Sequence, residues 1–126
     1  MEHGVVLDAS ALLAWLHDEP GGDQVEALLE VAVMSAVNWS EVLQKSVARG
    51  VAVEGLREDL EALGLQIEPF TIRDAEIAAG LWEQTRPLGL SLADRACLAL
   101  GLRLGWPVVT ADRAWQALGS QVRLIR

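Results

Sequence analysis

The 126-residue chain has no tyrosine, one phenylalanine, one cysteine, one lysine and two histidines. A lone thiol, Cys97, excludes an internal disulfide and suits a reducing compartment. No segment reaches the ~18 uninterrupted apolar residues that a membrane-spanning helix needs. The opening "MEHGVVLDAS" lacks the basic region and cleavage site of a signal peptide, so a cytoplasmic location with no membrane partner is expected. The two histidines, His3 and His17, have no nucleophile beside them in a recognisable motif, and neither is assigned a catalytic role. Positive charge is scarce as well. The net charge of −8 argues against broad attraction to nucleic acid, whose backbone calls for Lys and Arg. That objection weakens if several of the acids gather in one place and hold cations there. Lys45 is the only lysine, and the other nine basic residues are arginines, whose fork grips phosphate in a bidentate way.

What the chain does have is apolar sequence, 52% of its residues, enough for one domain over 1–126 with a real core. "GVVLD" (4–8) is a short continuous apolar run of the kind buried in a parallel sheet. "VAVMS" (31–35), "LQIEPF" (65–70) and "WPVVTAD" (106–112) read as further strands, with "QVRLI" (121–125) as a fifth, edge strand. Between them lie helical stretches. "ASALLAWLHDE" stops at "PGG", and "GDQVEALLE" forms a second helix. "NWSEVLQKSVARG" starts at an Asn38 cap, "VEGLREDLEALG" carries acids outward, and residues 72–89 form a longer helix ending before Pro87. "SLADRACLALGLRLG" (91–105) is apolar nearly all round, which predicts a helix buried in mid-domain, with Cys97 packed as a small apolar residue. Alternating strands and helices predict an α/β fold.

In such a sheet, ligands collect beyond the carboxyl ends of the strands. Asp8 ends the first strand and Asp112 the fourth, while Glu41 and Asp94 lie in the first turns of two helices. Each acid taken singly reads as a cap: "NWSE" and "SLAD" both have capping-box spacing, and Asp8 and Asp112 suit N-caps. Taken together they read differently. Two carboxylates ~4 Å apart repel by about 4 kcal/mol at an effective dielectric of 20, and Mg2+ or Mn2+, which prefer oxygen ligands, would relieve that.

"VVLDASALLAWL", "NWSEVLQK" and "GLSLADRACLALGLRLGWPVVTAD" resemble, in order and spacing, the acidic motifs of the PIN domain. The nearest subgroup is the VapC-like ribonuclease toxins of toxin–antitoxin pairs. The resemblance covers essentially the whole chain. It implies a three-layer α/β/α sandwich around a mostly parallel sheet of four to five strands. It implies that Asp8, Glu41, Asp94 and Asp112 form the catalytic, metal-binding quartet, with Ser10, Thr110 and Asn38 as polar neighbours. The activity implied is Mg2+- or Mn2+-dependent endoribonucleolytic cleavage, leaving a 5′-phosphate and a 3′-hydroxyl. The partners implied are an RNA substrate, a cognate antitoxin, a second copy in a homodimer, and DNA only through the antitoxin.

Arg95, directly after Asp94, departs from the small residue often found there, and reads as an RNA-phosphate contact or a solvent-facing side chain. Trp15 and Trp39 follow acidic motifs closely and read either as core or as cleft walls for a base or an antitoxin side chain. The main alternative is a catalytically inactive module of the same fold. A haloacid-dehalogenase site would want an aspartate where Ser10 stands. A receiver domain would want a lysine in the lysine-free C-terminal half.

Overall fold

The computed structural model describes residues 3–126; Met1 and Glu2, the acidic opening of the chain, lie outside it. Five short strands, β1 (Val5–Leu7), β2 (Ala32–Ser35), β3 (Gln66–Glu68), β4 (Val108–Thr110) and β5 (Val122–Leu124), form one sheet in the order β3-β2-β1-β4-β5. Every pairing is parallel, so the sheet is wholly rather than mostly so. The α-helices are α1 (Ala9–Leu16), α2 (Gly22–Glu26), α3 (Ala36–Ala48), α4 (Leu56–Ala62), α5 (Ile72–Gly80), α6 (Trp82–Thr85) and α7 (Leu92–Leu104).

Successive strand side chains point to opposite faces, and this divides the core into two layers. Val5, Leu7, Ala32, Met34 and Val109 pack with α1, Val25 of α2 and Leu60 of α4. Val6, Val33 and Val108 face the other way, onto Cys97, Leu98 and Leu100 of α7 and onto Trp115. A continuous apolar strand such as "VVL" is what burial on both faces requires. The α/β/α sandwich is therefore present. Gly101 lets α7 approach β4 closely: a Cβ there would stand 2.7 Å from a Val108 methyl carbon.

Four local expectations change. The third helix starts at Ala36, not Asn38: Ser35 leaves β2 with extended backbone, and its hydroxyl accepts from the Val37 N–H at 3.2 Å. Asn38 is thereby drawn into the first helical turn, where it is buried. The single helix expected over 72–89 is broken into α5, α6 and a 3-10 turn, Arg86–Leu88. Pro87 sits inside that turn, because a residue without an N–H is tolerated at the start of a short helical segment. The helix expected over 22–30 is only α2 followed by a 3-10 turn, Leu29–Val31. Finally, α7 is not buried all round, since Leu92 and Leu102 are 58% and 46% exposed.

The topology sets the site. β1 is the middle strand, with β2 and β4 beside it. α1 and α3 start directly from the carboxyl ends of β1 and β2. Three residues separate the end of α7 from β4, so the helix C-terminus lies at the amino edge of the sheet and its N-terminus returns to the carboxyl edge.

Candidate active site

Asp8, one residue past β1, is 4% exposed and caps α1, its Oδ1 accepting from the Ala11 N–H at 2.9 Å. The Ser10 hydroxyl lies 2.8 and 2.9 Å from the two carboxylate oxygens, and the Thr110 hydroxyl donates to Oδ2 at 2.6 Å. Both hydroxyls are themselves held: Ser10 Oγ accepts from the Ala111 N–H at 2.9 Å, and Thr110 Oγ1 from the Asp112 N–H at 3.0 Å. Each hydroxyl keeps its proton to donate to Asp8 or across the 3.2 Å to the other hydroxyl, and β1 is tied to the chain leaving β4. Burial pushes the Asp8 carboxyl up to about 6, against the hydrogen bonds of Thr110, Ala11 and Ser10, and the Asp94 charge adds to the rise.

Asp94 closes a capping box on α7. Its N–H donates to Ser91 Oγ at 3.1 Å, and its Oδ2 accepts from the Ser91 N–H at 2.9 Å. Asp112 caps the 3-10 segment Arg113–Gln121, its Oδ1 accepting from the Ala114 N–H at 2.9 Å. Asn38 joins two of the acidic segments, its amide nitrogen donating to Glu41 Oε1 and to the Ala93 carbonyl, both at 3.0 Å. Its Oδ1 is buried without a partner among the described residues. Beneath these groups lies Cys97, whose thiol is pushed well up by burial and by the charges of Asp8, Asp94 and Glu41. All four acids therefore sit at the carboxyl edge of the sheet. Yet among the described residues no three His, Cys, Asp or Glu side chains stand close enough to share a metal ion as they are turned here.

The donor set is all oxygen, and ionised Asp8 is penalised by its own burial. Both features suit a hard divalent cation that keeps some of its waters. Ligands at Asp94 and Asp112 would share their carboxylates with the caps these residues already form, each cap occupying one oxygen.

The flanking residues find partners within the fold. Arg95 is half-buried, and its guanidinium donates to the Ala78 carbonyl at 2.9 Å, tying α7 to the end of α5. Trp15 and Trp39 pack against the core layer on the α1 side, and the Trp15 indole N–H donates to Glu26 at 3.0 Å. His17 Nδ1 lies 2.8 Å from an Arg49 guanidinium nitrogen.

Sequence reasoning missed a second charged centre. Asp74 is fully buried, in a capping box with Thr71, and paired with Arg103 of α7 through a two-pronged contact. Burial alone would raise its carboxyl, but the hydrogen bonds and charge of Arg103 outweigh this and hold it low. The spacing "TIRD" signals the cap. Nothing in the sequence signals the arginine 29 residues away.

The PIN domain family model matches residues 5–120. No curated protein matches the chain. Among solved structures, a toxin–antitoxin complex from Klebsiella pneumoniae is similar at a TM-score of 0.77 and 17% identity, over 98% of each chain. FitAcB from Neisseria gonorrhoeae gives 0.72 and 22%, over 96% of this chain and 97% of that one. DNA-bound VapBC from Salmonella typhimurium gives 0.71 and 14%, over 98% and 99%.

Proposed function

The chain belongs to the PIN domain family, and on that premise we propose that it is a Mg2+- or Mn2+-dependent endoribonuclease, the toxin of a toxin–antitoxin pair. The observation that carries this reading is Asp8. A carboxylate buried at the end of the central strand, clamped by two aligned hydroxyls and raised to about 6, is a poor place for an unneutralised charge. As a simple helix cap it has more donors than capping needs.

Asp8 is the central ligand in this reading, with Asp94 and Asp112 completing the set and Glu41 acting directly or through water. A divalent ion bound there supplies an acidified water and charge neutralisation at the phosphodiester. Ser10 and Thr110 keep both Asp8 oxygens in place. Asn38 holds Glu41 against the first turn of α7, so that two of the acids move as one unit. The thiol of Cys97 stays protonated beneath them and takes no part in proton transfer. The partners are single-stranded RNA, a cognate antitoxin occupying the cleft, and a second copy of the chain, with DNA bound only through the antitoxin. The likeness of the fold to toxin–antitoxin complexes supports the antitoxin. Among the described residues no helix is long and apolar enough to cross a membrane.

One observation favours the second reading, an inactive module of the same fold. Asp8 and Asp112 cap helices, Asp94 closes a capping box, and among the described residues no three acids share a point. A Mn2+ titration of the antitoxin-free protein, read by tryptophan quenching beside Asp94→Asn, separates the two. Saturable binding lost in the variant, with Mn2+-dependent RNA cleavage lost alongside it, supports the nuclease. Identical curves for both proteins return Asp94 to capping.

A further inference from the structure

A groove of about 350 Å³ runs between α1 and α3, beginning at Ser10, whose hydroxyl faces Asp8. Leu13 and Ala48 give it apolar walls, and Lys45, Arg49 and Arg126 line it with positive charge. In a chain of net charge −8 with ten basic residues, three line this groove against one acid, Glu19. Its placement is equally specific. Glu41, Lys45 and Arg49 follow one another at four-residue intervals, so they share one face of α3, each about 6 Å along the helix from the last. The acidic end of that stripe lies at the candidate active site, and the basic end lines the groove.

Two of the cations are partly engaged. Glu19 takes a contact of 3.5 Å from Arg49 and one of 3.4 Å from Arg126, and Arg126 also donates to the Pro20 carbonyl. The Arg49–Glu19 and Arg126–Glu19 pairs are partly exposed and are exchangeable against a stronger anion. Lys45 is exposed and has no ion-pair partner among the described residues.

We propose that this groove seats the single-stranded RNA next to the scissile bond, with Lys45 and Arg49 contacting backbone phosphate and the Leu13–Ala48 walls packing against ribose and base. The proposal rests on the nuclease reading for the meaning of "scissile", but its binding chemistry is separate from the acids. A polyanion drawn to a protein of net negative charge needs a local cation strip, and this one begins about one helical turn beyond Glu41 on the same face of α3. Asp8 and Asp94 would repel an approaching phosphate unless the neighbouring cations offset them.

The test uses the full chain in chelator, so that no cleavage occurs, with fluorescein-labelled oligouridylate read by anisotropy across a salt series. Lys45→Gln and Arg49→Gln are compared with Lys45→Arg and with Arg57→Gln, whose exposed pair with Glu61 lies on α4. Each charge-removing groove variant is expected to weaken binding several-fold and to lower the slope of log K against log salt by about 0.7, the value for one single-strand phosphate contact. Lys45→Arg and Arg57→Gln should match the unaltered chain. Groove variants that bind with unchanged affinity and slope overturn the proposal. So does Lys45-dependent binding of polyglutamate without RNA binding, which would make the groove an acidic-peptide seat. A chain that binds RNA through Lys45 and Arg49 but cleaves none in Mn2+ keeps the groove and refutes the nuclease. Cleavage by a chain whose groove variants bind normally does the reverse.

Discussion

Replacing Asp8 by asparagine should stabilise the metal-free protein at neutral pH, although it weakens the charge-assisted contacts with Ser10 and Thr110. The folded carboxyl stands near 6 against an ordinary 3.8, a gap of about two units, which corresponds to about 3 kcal/mol. The sign follows from proton binding. A raised carboxyl binds its proton more tightly folded than unfolded, so the folded state is favoured at low pH. That advantage declines as pH rises from about 4 to about 6, and above 6 the full penalty is in place. Asparagine carries no charge at any pH. Its Oδ1 can still accept from Ala11, but its amide must face Ser10 or Thr110, and turning one hydroxyl costs about 1 kcal/mol. The expected gain is therefore about 2 kcal/mol at pH 8, turning into a loss of up to about 1 kcal/mol at pH 4, where the burial penalty has nearly gone. Urea unfolding in EDTA at several pH values, read by tryptophan fluorescence, measures it directly. Adding Mn2+ at about 100 times its dissociation constant should then stabilise the unaltered chain by about 2.7 kcal/mol and leave the variant unmoved. An Asp8→Asn protein less stable than the unaltered chain by the same amount at pH 4 and pH 8 would refute the reasoning. The carboxylate would then matter as a cap and not as a buried charge awaiting a cation.

Three further outcomes are expected. Asn38→Ala, which releases Glu41 and the Ala93 carbonyl, should lose about 1–3 kcal/mol in urea unfolding and weaken Mn2+ binding about 10–100-fold, as for other residues that orient metal ligands. Asp74→Asn should lose about 2–3 kcal/mol at pH 7, just below the roughly 3–5 kcal/mol for breaking a fully buried pair, because Arg103 is 27% exposed. The Asp74 carboxyl is depressed, so its contribution is present above the ordinary carboxylate range and fades as pH falls through its lowered value; the variant's acid-unfolding curve should be flatter there, and an unchanged curve would count against the pairing. Cys97 should resist a thiol-specific disulfide reagent until the chain unfolds, since its thiol is buried and pushed up, and rapid labelling of the native protein would contradict the core placement.

Much of this molecule is written in short-range sequence. Uninterrupted runs such as "VVL" and "AVMS" mark strands buried on both faces, and their alternation with helices leaves few options besides a parallel sheet between helical layers. Asp8, Asp94 and Asp112 are legible for the same reason, since strand ends and first helical turns are positions that local spacing identifies. Where helices begin is less legible. The early start at Ala36 rests on a hydroxyl two residues before Val37, and Ser35 reads as the last residue of a strand until its cap is seen. The tertiary structure alone decided that Asn38 would bridge Glu41 to α7, that Arg95 would tie α7 to α5, and that Asp74 would be buried against Arg103. It also decided that Lys45 and Arg49 would line a groove opening at Ser10. The physical reason is common to all of these. Strands and caps are fixed by interactions a few residues apart, whereas each of those contacts joins separate elements, and separation along the chain carries no trace of the partner.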